Sequence, residues 1–201
     1  MIGIIDYGLG NIKAISNIYN KLKIDNIILK SSNDFEKADK LILPGVGAFD
    51  SAIRNLKENN FFEKINSLVL KKNTKILGIC VGMQTFAEVS EEGSLSGLEW
   101  ISGSVKKFEK NNNFRLPHMG WNSIKKLKKN ILFDDIDDGE YFYFCHSYYF
   151  NCVDNNHIIT ETNFGSNFAS SINYNNIYGI QFHPEKSHDN GIKVLKNFAK
   201  L

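Results

Sequence analysis

Two short segments of this chain hold the residue types needed to transfer an acyl group. Cys80 lies in Gly78-Ile79-Cys80-Val81-Gly82, directly after the apolar run Ile76-Leu77 and before a helix-like stretch at 83–88. A thiol there sits on a sharp strand-to-helix turn, where two glycines let the backbone pinch and a substrate approach. A hundred residues on, Gln181-Phe182-His183-Pro184-Glu185 follows the apolar run Ile177-Tyr178-Gly179-Ile180. A nucleophile elbow with a His-Pro-Glu pair supplies the parts for thiol acyl transfer.

A free thiol has a pKa near ~8.5, so little of it is thiolate at neutral pH. Two aids to Cys80 are visible: the N-terminal dipole of the helix that follows, and an ion pair with a histidine. His183 is the candidate. Being followed by proline it is held extended, which projects His183 and Glu185 to one side. Glu185 then fixes the imidazole tautomer and stabilises its charged form, as the acidic member of a triad does. Attack on an amide also creates an oxyanion. The Val81 N–H is one expected donor, and the Gly45-Val46-Gly47 loop supplies the second through Val46 or Gly47; one such donor is worth ~10²–10³ in rate. Singly these segments read as a core cysteine, a strand-ending turn and a strand terminus. Together, each after a core strand, they favour a site.

The elements that must position them alternate in the first half. Strand-like runs at 2–6, 26–29, 40–43 and 74–79 are separated by helix-like stretches at 11–23, 49–57, 61–71 and 82–89. Such alternation implies right-handed parallel crossovers and an open, mostly parallel α/β sheet with helices on both faces. Ligands gather at the carboxyl ends of its strands, where Pro44-Gly45-Val46-Gly47 and Cys80 both fall. The second half reads as an antiparallel extension of that sheet, with short aromatic runs at 102–108, 141–144, 157–161 and 167–172. Asn111-Asn112-Asn113 and 134–139 read as exposed turns. A core strand returns at 178–182, and an amphipathic helix at about 191–201 follows.

The 201 residues fit one domain with a sizeable core, 42% of them hydrophobic and 12% aromatic. Lys+Arg 24 against Asp+Glu 22 leaves +2, too balanced for a nucleic-acid or membrane-surface binder. Lys125-Lys126-Leu127-Lys128-Lys129 is a local basic cluster, read as a solvated face. Cys80, Cys145 and Cys152 are too few and too widely spaced for a disulfide framework or structural zinc, and the latter two read as structural thiols. The N-terminus reads as a strand rather than a signal peptide, no run approaches the ~20 apolar residues of a membrane span, and a reducing cytoplasm is expected. No metal site, phosphate loop or dinucleotide fingerprint appears, so no cofactor is expected.

These residues resemble the class I (triad) glutamine amidotransferases, and in particular the glutaminase subunits of imidazole glycerol phosphate synthase. The likeness runs end to end: Ile5-Asp6-Tyr7-Gly8-Leu9-Gly10-Asn11, Leu43-Pro44-Gly45-Val46-Gly47-Ala48-Phe49, 78–84, Pro117-His118-Met119-Gly120-Trp121-Asn122, His146-Ser147-Tyr148 and 181–187. It implies that Cys80 attacks the side-chain amide carbon of L-glutamine. His183 would protonate the departing ammonia, then activate water against the thioester. Gly45, Gln84, His146, Ser147 and Tyr148 would hold the substrate, with Glu92 at its ammonium. Ammonia would pass to a (β/α)₈ barrel cyclase, which makes imidazole glycerol phosphate in histidine biosynthesis. Asn11, Pro117, His118, Met119 and Trp121 would form that heterodimer's interface, Trp121 as anchor.

Three alternatives stand. The segments 146–150 and 185–189 also resemble paralogues that supply ammonia to a surface-sugar amidotransferase. A stand-alone cysteine hydrolase on this fold is the second, and a catalytically inactive binding module the third.

Overall fold

The computed structural model describes residues 1–109 and 115–201. The expected turn at Asn111-Asn112-Asn113 lies outside the described residues. Four apolar runs set the centre of the molecule: β1 (Ile2–Ile5), β2 (Asn26–Leu29), β3 (Lys40–Gly45) and β4 (Lys75–Cys80). From the second residue on, β3 and β4 are buried at every position, the pattern of strands covered on both faces. Amphipathic helices supply the cover: α1 (Ile12–Lys21) and α2 (Phe49–Glu58), the latter burying Phe49, Ala52, Ile53 and Leu56 along one stripe. The stretch expected as one helix at 61–71 divides into α3 (Phe62–Asn66) and a π-helical turn, Ser67–Lys71.

After Cys80 comes a helix much shorter than its sequence suggests. α4 spans only Val81–Gln84, and the chain is extended again at β5 (Val89–Ser90), which pairs with β6 (Gly103–Lys107). Next come β7 (His118–Ser123), β8 (Lys125–Lys126), β9 (Tyr141–His146), β10 (Tyr148–Cys152), β11 (Ile158–Phe164), β12 (Ser166–Tyr174) and β13 (Ile177–Ile180). Helix α5 (His188–Lys200) follows. The main sheet runs β2-β1-β3-β4-β13-β12-β11-β8. Its first five strands are parallel, and β12, β11 and β8 extend it antiparallel. The expected mostly parallel sheet with an antiparallel extension is therefore present. Two of the expected extension strands lie elsewhere: β6 joins β10 and β5, while β9 pairs with β7 in a separate two-stranded sheet.

This topology brings the two chemical segments together. β4 and β13 are parallel neighbours in register Ile79↔Ile180, so their carboxyl ends, and the segments that follow, emerge side by side. Across β4 the partner is β3, with Gly45 opposite Cys80. Close approach at that edge requires glycine: a Cβ on Gly82 would lie 1.9 Å from the Leu43 carbonyl oxygen, and one on Gly45 would lie 2.5 Å from the Gly82 nitrogen. Backbone atoms cannot yield as flexible side chains do. Gly82→Ala is therefore expected to destabilise the chain by about 3 kcal/mol or more, measured by denaturant unfolding. A variant within about 0.5 kcal/mol of the parent would show that this edge tolerates separation.

Candidate active site

Cys80 itself carries the turn. Its φ is +55° and ψ −114°, a conformation that side-chain-bearing residues rarely adopt and that costs about 1–3 kcal/mol. The strand's last residue is thereby rotated so that its thiol faces a chamber of about 160 Å³. That is below the ~300 Å³ at which drug-sized sites begin, and suits a small metabolite. Val46, Gly47, Cys80, Val81, Gln84 and Glu92 line one part of it. Cys145, His146, Ser147, Tyr148, His183 and Lys186 line the rest. The expected nucleophile, oxyanion loop and substrate residues thus share one chamber, with one exception. Gly45 does not line it, and packs instead against the start of α4.

The geometry of the His-Pro-Glu segment differs from an extended strand. β13 ends at Ile180, and Pro184–Lys186 forms a single 3-10 turn; only His183 is extended, with φ −96° and ψ 101°. The turn still brings Glu185 Oε1 to 3.0 Å from His183 Nδ1. Ser187 secures the segment, its hydroxyl donating to the His183 carbonyl at 2.6 Å and accepting from Tyr143 N–H at 3.0 Å. The His183 N–H donates to the Tyr143 carbonyl at 2.9 Å, which ties the imidazole to β9.

Burial opposes charge on His183, yet the facing Cys80 and the Glu185 carboxylate outweigh it and raise its pKa. Glu185 is likewise buried, and hydrogen bonds from His183 and Asn11 lower its pKa against that burial. The pair is thus set to be an imidazolium on a carboxylate, with the imidazolium facing Cys80. The expected helix dipole contributes little. α4 is one turn, too short for a substantial macrodipole.

The contacts add to several of the expected roles and alter that of His118. Asn11, expected at a partner surface, is half-buried and donates from Nδ2 to Glu185 Oε1 at 2.6 Å, a contact that supports the His183–Glu185 pair. That diversion leaves α1 without a side-chain cap. His118 is also not a surface residue: it is 4% exposed and stacks between Phe144 and Phe164. Its Nδ1 meets His146 Nε2 at 3.0 Å, and His146 Nδ1 meets the Tyr148 carbonyl at 2.8 Å. Both imidazole nitrogens of His146 are therefore engaged inside the protein. Gln84 donates to the Tyr148 carbonyl at 2.9 Å and to Gln181 Oε1 at 3.0 Å. Both of its N–H groups are used, which leaves Oε1 to face a ligand. Glu92 accepts from the Phe49 N–H at 2.8 Å, capping α2, while burial raises its pKa. Pro117, Met119 and Trp121 are exposed, Trp121 stacking on His188 at 5.1 Å.

Other residues at the site have no expected role in its chemistry. Cys145, expected as a structural thiol, lies on β9 and also lines the chamber, with its carbonyl 4.0 Å from Cys80 Sγ. Lys186 lines it too, its ammonium 5.4 Å above the Tyr143 ring. Gln181 is fully buried and reaches Cys80 Sγ at 3.5 Å. Closeness in sequence was the one available signal: Gln181 and Lys186 lie within three residues of His183, and Cys145 directly precedes His146. Among the described residues no group of three or more His, Cys, Asp or Glu could hold a metal ion, and no helix is long and apolar enough to cross a membrane.

The chain belongs to the class-I glutamine amidotransferases: the family described as "Glutamine amidotransferase class-I" matches residues 3–201. Among similar proteins, imidazole glycerol phosphate synthase subunit HisH of Leptospira interrogans is 45% identical over 204 residues, covering 100% of both chains. Subunit HisH 2 of Methanococcus maripaludis is 47% identical over 200 residues, covering 100% of this chain and 99% of its own. Two solved structures show the same fold. PurLQS from Thermotoga maritima has a TM-score of 0.75 at 14% identity, covering 99% of this chain and 97% of that one. The glutaminase domain of Trypanosoma brucei CTPS with bound acivicin has a TM-score of 0.65 at 14% identity, covering 99% and 93%.

The buried imidazoles make acid stability a test of this site. Burial pushes His118 down to about 4 and His146 to about 3, against an ordinary value of 6.5. Below pH 6.5 the unfolded chain binds protons that both folded histidines refuse, so stability falls as pH falls. His183 adds no slope there, because its raised pKa leaves it protonated in both states. Glu185, with a lowered pKa, loses its contribution only below the ordinary carboxylate range. Well below pH 6.5 each of His118 and His146 should remove about 1.4 kcal/mol per pH unit. Denaturant unfolding at stepped pH measures this, and His118→Phe should flatten the slope by roughly one proton. An unchanged slope would mean that His118 is charged in the folded chain.

Proposed function

We propose that this chain is a glutamine-hydrolysing subunit of an imidazole glycerol phosphate synthase, acting as one glutaminase domain in the cytoplasm. The reading rests above all on Cys80 and His183 lining one chamber, with Glu185 Oε1 3.0 Å from His183 Nδ1. Full-length identity of 45% with a subunit bearing that name supports the pathway. A reducing compartment suits chemistry that needs a free thiol.

The mechanism follows from the site. L-Glutamine enters with its carboxamide toward Cys80, its ammonium near Glu92 and Gln84 Oε1, and its carboxylate near Ser147 and Tyr148. The Cys80 thiolate attacks the carboxamide carbon, and N–H groups of Val81 and the Val46-Gly47 loop stabilise the oxyanion. His183 gives its proton to the leaving nitrogen, the C–N bond breaks, and ammonia departs from a thioester. Now neutral, His183 takes a proton from water as the oxygen attacks the thioester carbon. The C–S bond breaks, glutamate leaves, and the thiolate and imidazolium are restored. Glu185 and Asn11 keep the imidazole aimed through both steps.

Ammonia is mostly protonated in neutral water and is then no nucleophile, so a glutaminase of this kind works against a second catalytic subunit. The surface beside the chamber suits docking. Met119 is 62% exposed, Tyr141 57% and Trp121 46%, on the paired strands β7 and β9. Tyr143 joins this patch to Lys186 in the chamber wall. A barrel cyclase covering Pro117, Met119 and Trp121 would seal the exit and receive the ammonia.

Two outcomes check this reading. With the organism's cyclase, Cys80→Ala should abolish glutamine-dependent formation of imidazole glycerol phosphate and leave the ammonia-dependent reaction intact. A cyclase that neither binds the chain nor responds to it would favour the surface-sugar role. Trp121→Ala should weaken subunit affinity about tenfold or more, read by titration calorimetry. Unchanged affinity would remove Trp121 from the interface.

A further inference from the structure

A buried row of hydrogen bonds runs from β7 to the nucleophile, and the direction of each can be assigned. The Tyr148 carbonyl can only accept, so His146 Nδ1 at 2.8 Å and Gln84 Nε2 at 2.9 Å both donate to it. With Nδ1 carrying the proton of a neutral ring, His146 Nε2 accepts from His118 Nδ1 at 3.0 Å. His118 Nε2 then accepts from Asn122 Nδ2 at 3.1 Å, and Asn122 Nδ2 also donates to the Asn163 carbonyl at 2.9 Å. On the other side of Tyr148, the second N–H of Gln84 goes to Gln181 Oε1 at 3.0 Å. That fixes the Gln181 amide with its nitrogen toward Cys80 Sγ, 3.5 Å away. Gln181 is 0% exposed, so no solvent competes for either end of its amide.

We propose that Gln181 is a positioning residue for the Cys80 sulfur, presenting an N–H donor whose orientation the Tyr148 carbonyl imposes through Gln84. A donor facing sulfur favours thiolate over thiol, because a charged acceptor takes a stronger hydrogen bond. It also restrains Sγ from the side of Gln84, while His183 contacts it as well. Gln84 therefore has a second task besides facing the ligand: turning the Gln181 amide. The inference rests on Cys80 as the nucleophile, and its test is separable from the test of that reading.

Gln181→Met keeps the length and bulk of the side chain and removes the donor. Alkylation of Cys80 by iodoacetamide, followed by peptide mass mapping across a range of pH, reads the thiolate without requiring turnover. Labelling at neutral pH should slow by about tenfold, and the pH profile should move upward by about one unit. In glutamine hydrolysis kcat should fall by a similar factor, with KM changed less than about twofold. An unmoved profile in a variant that unfolds cooperatively would overturn the proposal. Should Gln181→Met fail to fold, Gln84→Met is read in the same assay. It leaves the sulfur untouched but releases the Gln181 amide, so slower labelling is expected and an unmoved profile overturns the proposal. Absence of glutamine hydrolysis by the parent chain in the presence of the cyclase, with the labelling effect intact, would count against the glutaminase reading alone.

Discussion

The backbone of Cys80 is the constraint on which the rest of the site depends. A positive φ on a residue with a side chain costs about 1–3 kcal/mol and persists only where the surroundings leave no alternative. Here the surroundings are β3 and β4, paired in register through Gly45↔Cys80, with Gly82 pressed onto the Leu43 carbonyl. Relaxing the turn would require parting two central strands whose side chains are buried on both faces. The parallel core therefore holds the strain, and the strain aims the thiol. The Val46-Gly47 loop leaves the same edge, so the expected oxyanion donors and the nucleophile inherit one geometry.

Within about one chamber's width the fold gives histidines opposite characters. His183 has a carboxylate and a sulfur as neighbours and is raised towards the charged form. His118 and His146 have aromatic rings and each other, and burial holds both neutral. The difference is one of environment, not of residue type. A charged imidazole can deliver a proton to a leaving amine. Neutral ones can relay hydrogen-bond direction without adding a second positive charge beside the first. The Asn11 contact fits this division, since an amide donor supports the Glu185 carboxylate without neutralising it.

Much of this was legible in the sequence, for identifiable reasons. Glycines around Cys80 and proline after His183 punctuate the chain locally, and periodic apolar runs mark β1 to β4 and α1, α2 and α5. The short α4 was not legible, because β5 is extended only through its pairing with β6. Nor was the separate pairing of β9 with β7, since aromatic runs carry no mark of which sheet they join. His118 alternates inward from exposed Met119, a period-two pattern hidden by the motif around it. Gln181 lay in plain view beside His183, but its contact with Cys80 spans 101 residues and exists only when β4 and β13 are neighbours. Asn11 reaches Glu185 across 174 residues in the same way. Local chemistry was readable; support supplied by distant residues was not.

The central claim is that Cys80 attacks the side-chain carboxamide carbon of glutamine. Reaction with an electrophilic glutamine analogue, followed by peptide mass mapping, tests it most directly. The account predicts a single adduct on Cys80, suppressed by excess L-glutamine and lost in His183→Ala. An adduct on Cys145, or labelling of Cys80 that glutamine does not suppress, would contradict it.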